Sequence, residues 1–174
     1  MIKTTDKTQR SRRVGILCCH FVRNFAYYEA GFEDGKIKSE DQFVVSLNGN
    51  FLDISVLEWC KLFGDHNDKH HWKKIMSCDP TFKKRMLDEL KISQEDFDLT
   101  YKSFREYRDK FIAHLDSDEI MKIPEVSKGL NMVFFYYKEV KAMCEEIADW
   151  PNSIEIFYKE HYKNALMQYD KLKT

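Results

Sequence analysis

The sequence predicts an all-α fold, an up-and-down bundle of four long helices with shorter accessory helices. Three observations carry that expectation. Only six glycines and three prolines are spread over 174 residues, so little interrupts a helix. Apolar residues return every three or four positions through most of the chain, which puts them on one face of a helix. No stretch alternates apolar and polar residues as a half-buried strand would.

The first helix is expected from about Arg12 to Glu33, where Val14, Leu17, Phe21, Phe25, Tyr28 and Phe32 form one stripe. Gly35 ends it, and the cap-like Ser39-Glu40-Asp41-Gln42 opens the second. That helix carries Phe43, Leu47, Phe51, Ile54, Leu57, Trp59 and Leu62 up to Gly64, with a possible kink at Asn48-Gly49-Asn50. A polar connection over 65–71 follows, then a short helix from His71 to Met76. Asp79-Pro80 reads as an N-cap with proline at the first helical position, for a helix ending near Leu90. Ser93-Gln94-Glu95-Asp96 is a capping box with Asp in place of Glu or Gln, and it opens a helix to about Ala113. After the Asp116-Ser117-Asp118 loop, Pro124 starts a helix with Val126, Leu130, Val133, Tyr137, Val140, Cys144 and Ile147 on one face. Trp150-Pro151 stops it, because proline disfavours a helical residue before it. Asn152 or Ser153 caps a last helix to about Leu172.

Residues 1–11 are expected to form a polar arm, and 12–174 a single helical domain. Met1 to Arg13 lacks the apolar core of a secretory signal, and no apolar run reaches the ~20 residues of a membrane span. Five cysteines without a Cys-x-x-Cys pair point to free thiols and a reducing, cytoplasmic setting. The net charge of −1 confines any nucleic-acid binding to a local patch. Candidates are Arg10, Arg12 and Arg13, then Lys73 and Lys74, then Lys83, Lys84 and Arg85, though each cluster taken singly reads more readily as a solvated helix face. His66, His70 and His71 beside Asp65 and Asp68 have the residue types of a metal site, but a hydrated loop is the expectation. Trp59, Trp72, Trp150, Tyr136 and Tyr137 are expected in the core, and Cys18 and Cys19 as buried, unreactive thiols.

The helix from Ser93 carries a seam of Phe97, Tyr101, Phe104, Arg108, Phe111 and Leu115 at alternating spacings of three and four. Arg108 stands where an apolar residue is expected. A buried, unpaired guanidinium is costly, so Arg108 requires a carboxylate partner or a wet cleft. Asp109, next in sequence, could orient a neighbour by hydrogen bonding. His114 lies six positions on, and on an ideal α-helix it would point about 120° away from Arg108. The two meet only if the helix changes near Ala113 or if two subunits pool their side chains. A structural ion pair and cap at a helix end is the alternative for both residues.

Arg108-Asp109-Lys110-Phe111-Ile112-Ala113-His114 resembles the arginine, four to six residues, histidine motif of the HEPN (higher eukaryotes and prokaryotes nucleotide-binding) superfamily. Its continuation through Leu115-Asp116 looks like the abortive-infection AbiU branch. Leu57-Glu58-Trp59-Cys60-Lys61-Leu62-Phe63-Gly64, followed by His71-Trp72-Lys73-Lys74, is similar too, in the expected order. The resemblance covers roughly Arg12 to Trp150 and implies a HEPN-like bundle. It also implies cofactor- and metal-independent cleavage of RNA in a homodimer that brings two motifs to one cleft, within a phage-defence or toxin–antitoxin system. The catalytic residues it implies are His114 as general acid or base and Arg108 on the phosphate, with Asp109 beside them. The chemistry suits the residue types. RNA carries its own nucleophile, the 2′-hydroxyl; histidine titrates near pH 6.5. An arginine grips two phosphate oxygens at once. The alternative is a non-catalytic HEPN module that binds RNA, a nucleotide or a protein partner. Family toxins silenced by a nucleotidyltransferase antitoxin carry tyrosines just after the histidine, whereas here Leu115-Asp116 follows.

Overall fold

The computed structural model describes residues 4–113, 122–144 and 150–172. Helix α1 spans Thr4–Ala30, so most of the segment expected as a polar arm continues the first helix. Its buried residues exceed one stripe: Val14, Leu17, Cys18, Phe21, Val22, Phe25 and Ala26 are all enclosed. The reason is its central place, since α1 packs against α2 (Gln42–Trp59), α6 (Val126–Met143) and α7 (Ile154–Lys171). Gly15 permits one of these contacts, because a Cβ there would lie 2.3 Å from the Trp150 ring.

Between α1 and α2 the structure departs from the expected turn. Two-residue strands β1 (Phe32–Glu33) and β2 (Lys36–Ile37) pair antiparallel across Asp34 and Gly35, at φ 51° and 74°. Two positive φ values in a row are what a tight hairpin needs, and Asp-Gly supplies them at low cost. Asp41 caps α2 by accepting from the amides of Phe43 and Val44. The Asn48-Gly49-Asn50 stretch stays helical. Asn48 instead points inward and donates to the Tyr28 carbonyl and the Tyr169 hydroxyl, joining the ends of α1, α2 and α7.

Past Trp59, α2 widens into a π-helical turn over Cys60–Gly64. Helix α3 (Trp72–Ile75) and α4 (Phe82–Leu90) follow. Helix α4 starts later than Asp79-Pro80 implies, because Asp79 accepts from both the amide and the hydroxyl of Thr81 and shapes the turn before the helix. Helix α5 (Gln94–Tyr107) opens on the expected box: Ser93 Oγ accepts from Asp96 N, and Asp96 Oδ2 accepts from Ser93 N, each at 3.0 Å. Pro124 lies two residues before α6, with Glu125 in the cap position between them. Ser153 caps α7 through the Ile156 amide.

Among the described residues the fold is thus all-α apart from one hairpin, and the long helices number five where four were expected. Helix α5 is the fifth, packed on α2 and on the π turn that extends it. Trp59, Trp72, Trp150, Tyr136 and Tyr137 are buried as expected, and Trp59 stacks between Phe63 and Phe104. Among the described residues, no helix is long and apolar enough to cross a membrane.

Candidate active site

The seam of α5 does what its spacing implies up to Arg108. Phe97 and Phe104 are buried and Tyr101 is half-buried. At Arg108 the α-helix gives way to a second π turn, Arg108–Ala113. Such turns (hydrogen bonds from i to i+5) are rare and concentrate at functional sites. Here the two π turns fall in two of the three segments that carry the family resemblance, and they lie on packed, neighbouring helices. Cys60, first residue of one turn, donates its thiol proton to the Phe104 carbonyl just before the other, at 3.8 Å.

Arg108 keeps 21% of its side-chain surface in solvent. It finds its carboxylate next door: Nε and Nη2 lie 2.8 and 2.7 Å from Asp109 Oδ1. Arg105 Nη2 is 3.9 Å from the other oxygen of Asp109, and Arg105 Nη1 donates to the Tyr101 hydroxyl at 3.1 Å. Tyr101 in turn donates to the Gly64 carbonyl and lies 3.4 Å from His66 Nε2. A polar chain therefore runs from Arg108 through Asp109, Arg105 and Tyr101 to His66, down one face of α5. Positions 101, 105 and 109 are four apart, the spacing that makes helical neighbours, so this row was legible in advance.

The end of the first π turn leaves carbonyls without helical partners. Tyr101 takes that of Gly64, and His71 takes that of Phe63 through Nε2 at 2.9 Å. His71 Nδ1 accepts from the Lys73 amide, capping α3. With both ring nitrogens engaged and the ring fully buried, His71 is a neutral structural group, its pKa pressed down to about 4 by desolvation. The expectation of a hydrated loop therefore holds for exposed His66 but not for His71. Among the described residues, no group of three or more His, Cys, Asp or Glu is placed to hold a metal ion.

Cys18 and Cys60 are buried, and desolvation raises both thiols, Cys60 to about 12 even with Arg108 opposing the shift. Neither is a nucleophile at neutral pH. His114 and the loop after it lie outside the described residues. Of the predicted triad, Arg108 and Asp109 are brought together, and the π turn that starts at Arg108 ends at Ala113, the residue before His114. Comparison with known families, with curated proteins and with solved structures finds no match.

Proposed function

We propose that the chain is a HEPN-type, metal-independent endoribonuclease of the abortive-infection or toxin kind, acting as a homodimer. His114 serves as general acid or base, and Arg108 stabilises charge on the phosphate. The observation that carries this reading is the placement of Arg108: partly exposed in an apolar seam, at the first residue of a π turn, on the segment with the Arg-x5-His motif. A guanidinium partly in solvent at that place is suited to two phosphate oxygens. Attack by the 2′-hydroxyl on the adjacent phosphate leaves a 2′,3′-cyclic phosphate and expels the 5′-oxygen, which takes up a proton. The nucleophile loses one proton and the leaving group gains one, so paired histidines in a dimer divide the work. DNA is inert to this chemistry because it lacks the nucleophile.

One observation favours a second reading. Asp109 already engages the Arg108 guanidinium, which suits a module that binds RNA, a nucleotide or a protein partner without cutting. The two readings separate in one experiment. Purified protein is incubated with labelled mixed-sequence RNA in EDTA, beside His114→Ala and Arg108→Lys. The ribonuclease predicts cyclic-phosphate ends, and at least a ~100-fold loss in each variant, as when a preorganised charge-stabilising donor is lost. Unchanged cleavage in His114→Ala overturns the mechanism. Absence of cleavage by folded, dimeric protein leaves the binding module.

A further inference from the structure

Beyond the motif, α3, α4 and α5 enclose a cleft of about 130 Å³, walled by Phe63, Trp72, Phe97 and Tyr101, with Lys73, Lys83, His66 and Asp98 at its edges. Its two ammonium groups are held over rings. Lys73 Nζ is 5.6 Å from the Trp72 ring centre, and Lys83 Nζ is 4.1 Å from that of Phe97. No ion pair among the described residues includes either lysine. The one carboxylate at the edge, Asp98, accepts from the Gln94 side chain. Burial holds the Lys83 pKa down; Asp98 opposes the shift, and the Lys73 charge adds to it more weakly. His66 is likewise lowered by desolvation first, then by Lys73 and Arg105. Two like charges that repel across an aromatic-walled cleft are relieved by an anion.

We propose that this cleft is a subsite for single-stranded RNA, in which Lys73 and Lys83 together take one phosphate while Tyr101 and the stacked His66 receive an adjoining base. The proposal rests on the reading of the chain as a protein that acts on RNA. Size and position both favour a strand. Whole small-molecule ligands occupy roughly 300–1,000 Å³, so this cleft suits one part of a longer ligand. Tyr101 and Arg108 are seven residues apart on the same helix, about 10 Å along its axis, which a strand crosses in a nucleotide or two. Between them stands Arg105, bound to the Tyr101 hydroxyl, so cationic groups recur along the path. His66 lies on Tyr101 at 5.8 Å with rings 20° from parallel, and it is exposed, as a stacking platform for a base must be.

The test measures equilibrium binding of a short, fluorescein-labelled, mixed-sequence single-stranded RNA to the full chain carrying His114→Ala, in EDTA, across a salt series. In that background Lys73→Gln/Lys83→Gln is expected to weaken binding at least ~10-fold. It should also flatten the log K against log salt slope by about 0.7, the value for one phosphate of a single strand. Tyr101→Leu should weaken binding without changing the slope. Lys74→Gln, whose ammonium is held by the Asn67 carbonyl, should change neither. Thermal melts check that each variant is folded. Parent-like affinity and slope in the double-lysine variant overturn the proposal. So does failure of the parent to bind RNA, or displacement of the RNA by equimolar inorganic phosphate or mononucleotide, which would mark a free-anion site. Cleavage by the unmutated chain is scored separately, so lysine-dependent binding without cleavage sinks the ribonuclease and leaves the subsite standing.

Discussion

Arg108 directs two of its nitrogens, Nε and Nη2, onto a single oxygen of its neighbour Asp109, at 2.8 and 2.7 Å. Arg105 Nη2 lies 3.9 Å from the other Asp109 oxygen, so one carboxylate sits between two guanidinium groups.

Asp109 is 48% exposed, so water screens the pair and its share of stability is small, under about 1 kcal/mol. Its consequence is orientation. Asp109→Asn keeps the shape and removes the charge, so under the proposed ribonuclease reading RNA cleavage should lose roughly tenfold in kcat with KM and melting temperature little changed, in line with a modest loss of aim. The kcat and KM split decides the matter. A fall in KM at unchanged kcat would mean that Asp109 masks Arg108 from phosphate instead of aiming it.

His71 predicts a pH dependence of stability. Its native pKa, about 4, lies below the ~6.5 of an unfolded histidine. Above pH 6.5 both states are neutral and the residue adds no slope. Between 6.5 and 4 only the unfolded chain takes up the proton, so stability is lost as pH falls, by about 2 kcal/mol from pH 7 to pH 5. His71→Gln should be less stable than the parent at pH 7.5, since the Phe63 carbonyl and the buried ring contacts are compromised. It should also lack this part of the acid limb, so the gap between the two proteins narrows toward pH 5. Urea unfolding of both at the two pH values measures it. A gap independent of pH would mean that His71 is not held neutral.

Local signals in the sequence carried over well and long-range ones did not. The Ser93–Asp96 box and the Asp41 and Ser153 caps form from residues within three positions, so spacing reveals them. Trp59 and Tyr136 are apolar enough that burial follows from type alone. Asp34-Gly35 was a legible hairpin turn overlooked beside a strong helical pattern. The π turns were not legible, because an i to i+5 turn uses the same residues as an α-helix and is selected by packing. His71 is similar: nothing near it in sequence announces that the Phe63 carbonyl will need a donor. Arg108 stood out because it broke an apolar seam, and its partner Asp109 was adjacent. Lys73 and Lys83 were legible only as charges, since their cleft is made by three separate helices.

Gly129 tests whether the packing around the first π turn is as tight as described. A Cβ there would sit 2.6 Å from Phe104 Cζ and 3.0 Å from Trp59 Nε1, both in fully buried rings. Gly129→Ala should therefore destabilise by about 1–3 kcal/mol despite the better helix propensity of alanine. For a chain of this size that is a fall in Tm of about 2–4 °C per kcal/mol. A rise in Tm would show that Trp59 and Phe104 can separate freely.

The cysteines report the same core from outside. Cys78 is exposed, Cys19 and Cys144 are half-buried, and Cys18 and Cys60 are enclosed. Reaction needs both access and thiolate. Burial denies Cys18 and Cys60 the first and, by raising their pKa, the second. Desolvation also raises Cys19, to about 11. A maleimide at neutral pH should therefore label Cys78 first in the native protein, and Cys18 and Cys60 only when urea opens the bundle. Peptide mapping after a time course reads the order. Because Cys60 donates to Phe104 where the two π turned segments meet, its labelling rate follows the opening of that junction. Early native-state labelling of Cys60 would mean that the junction opens locally while the rest of the bundle stays folded, and that Arg108 stands on a mobile support.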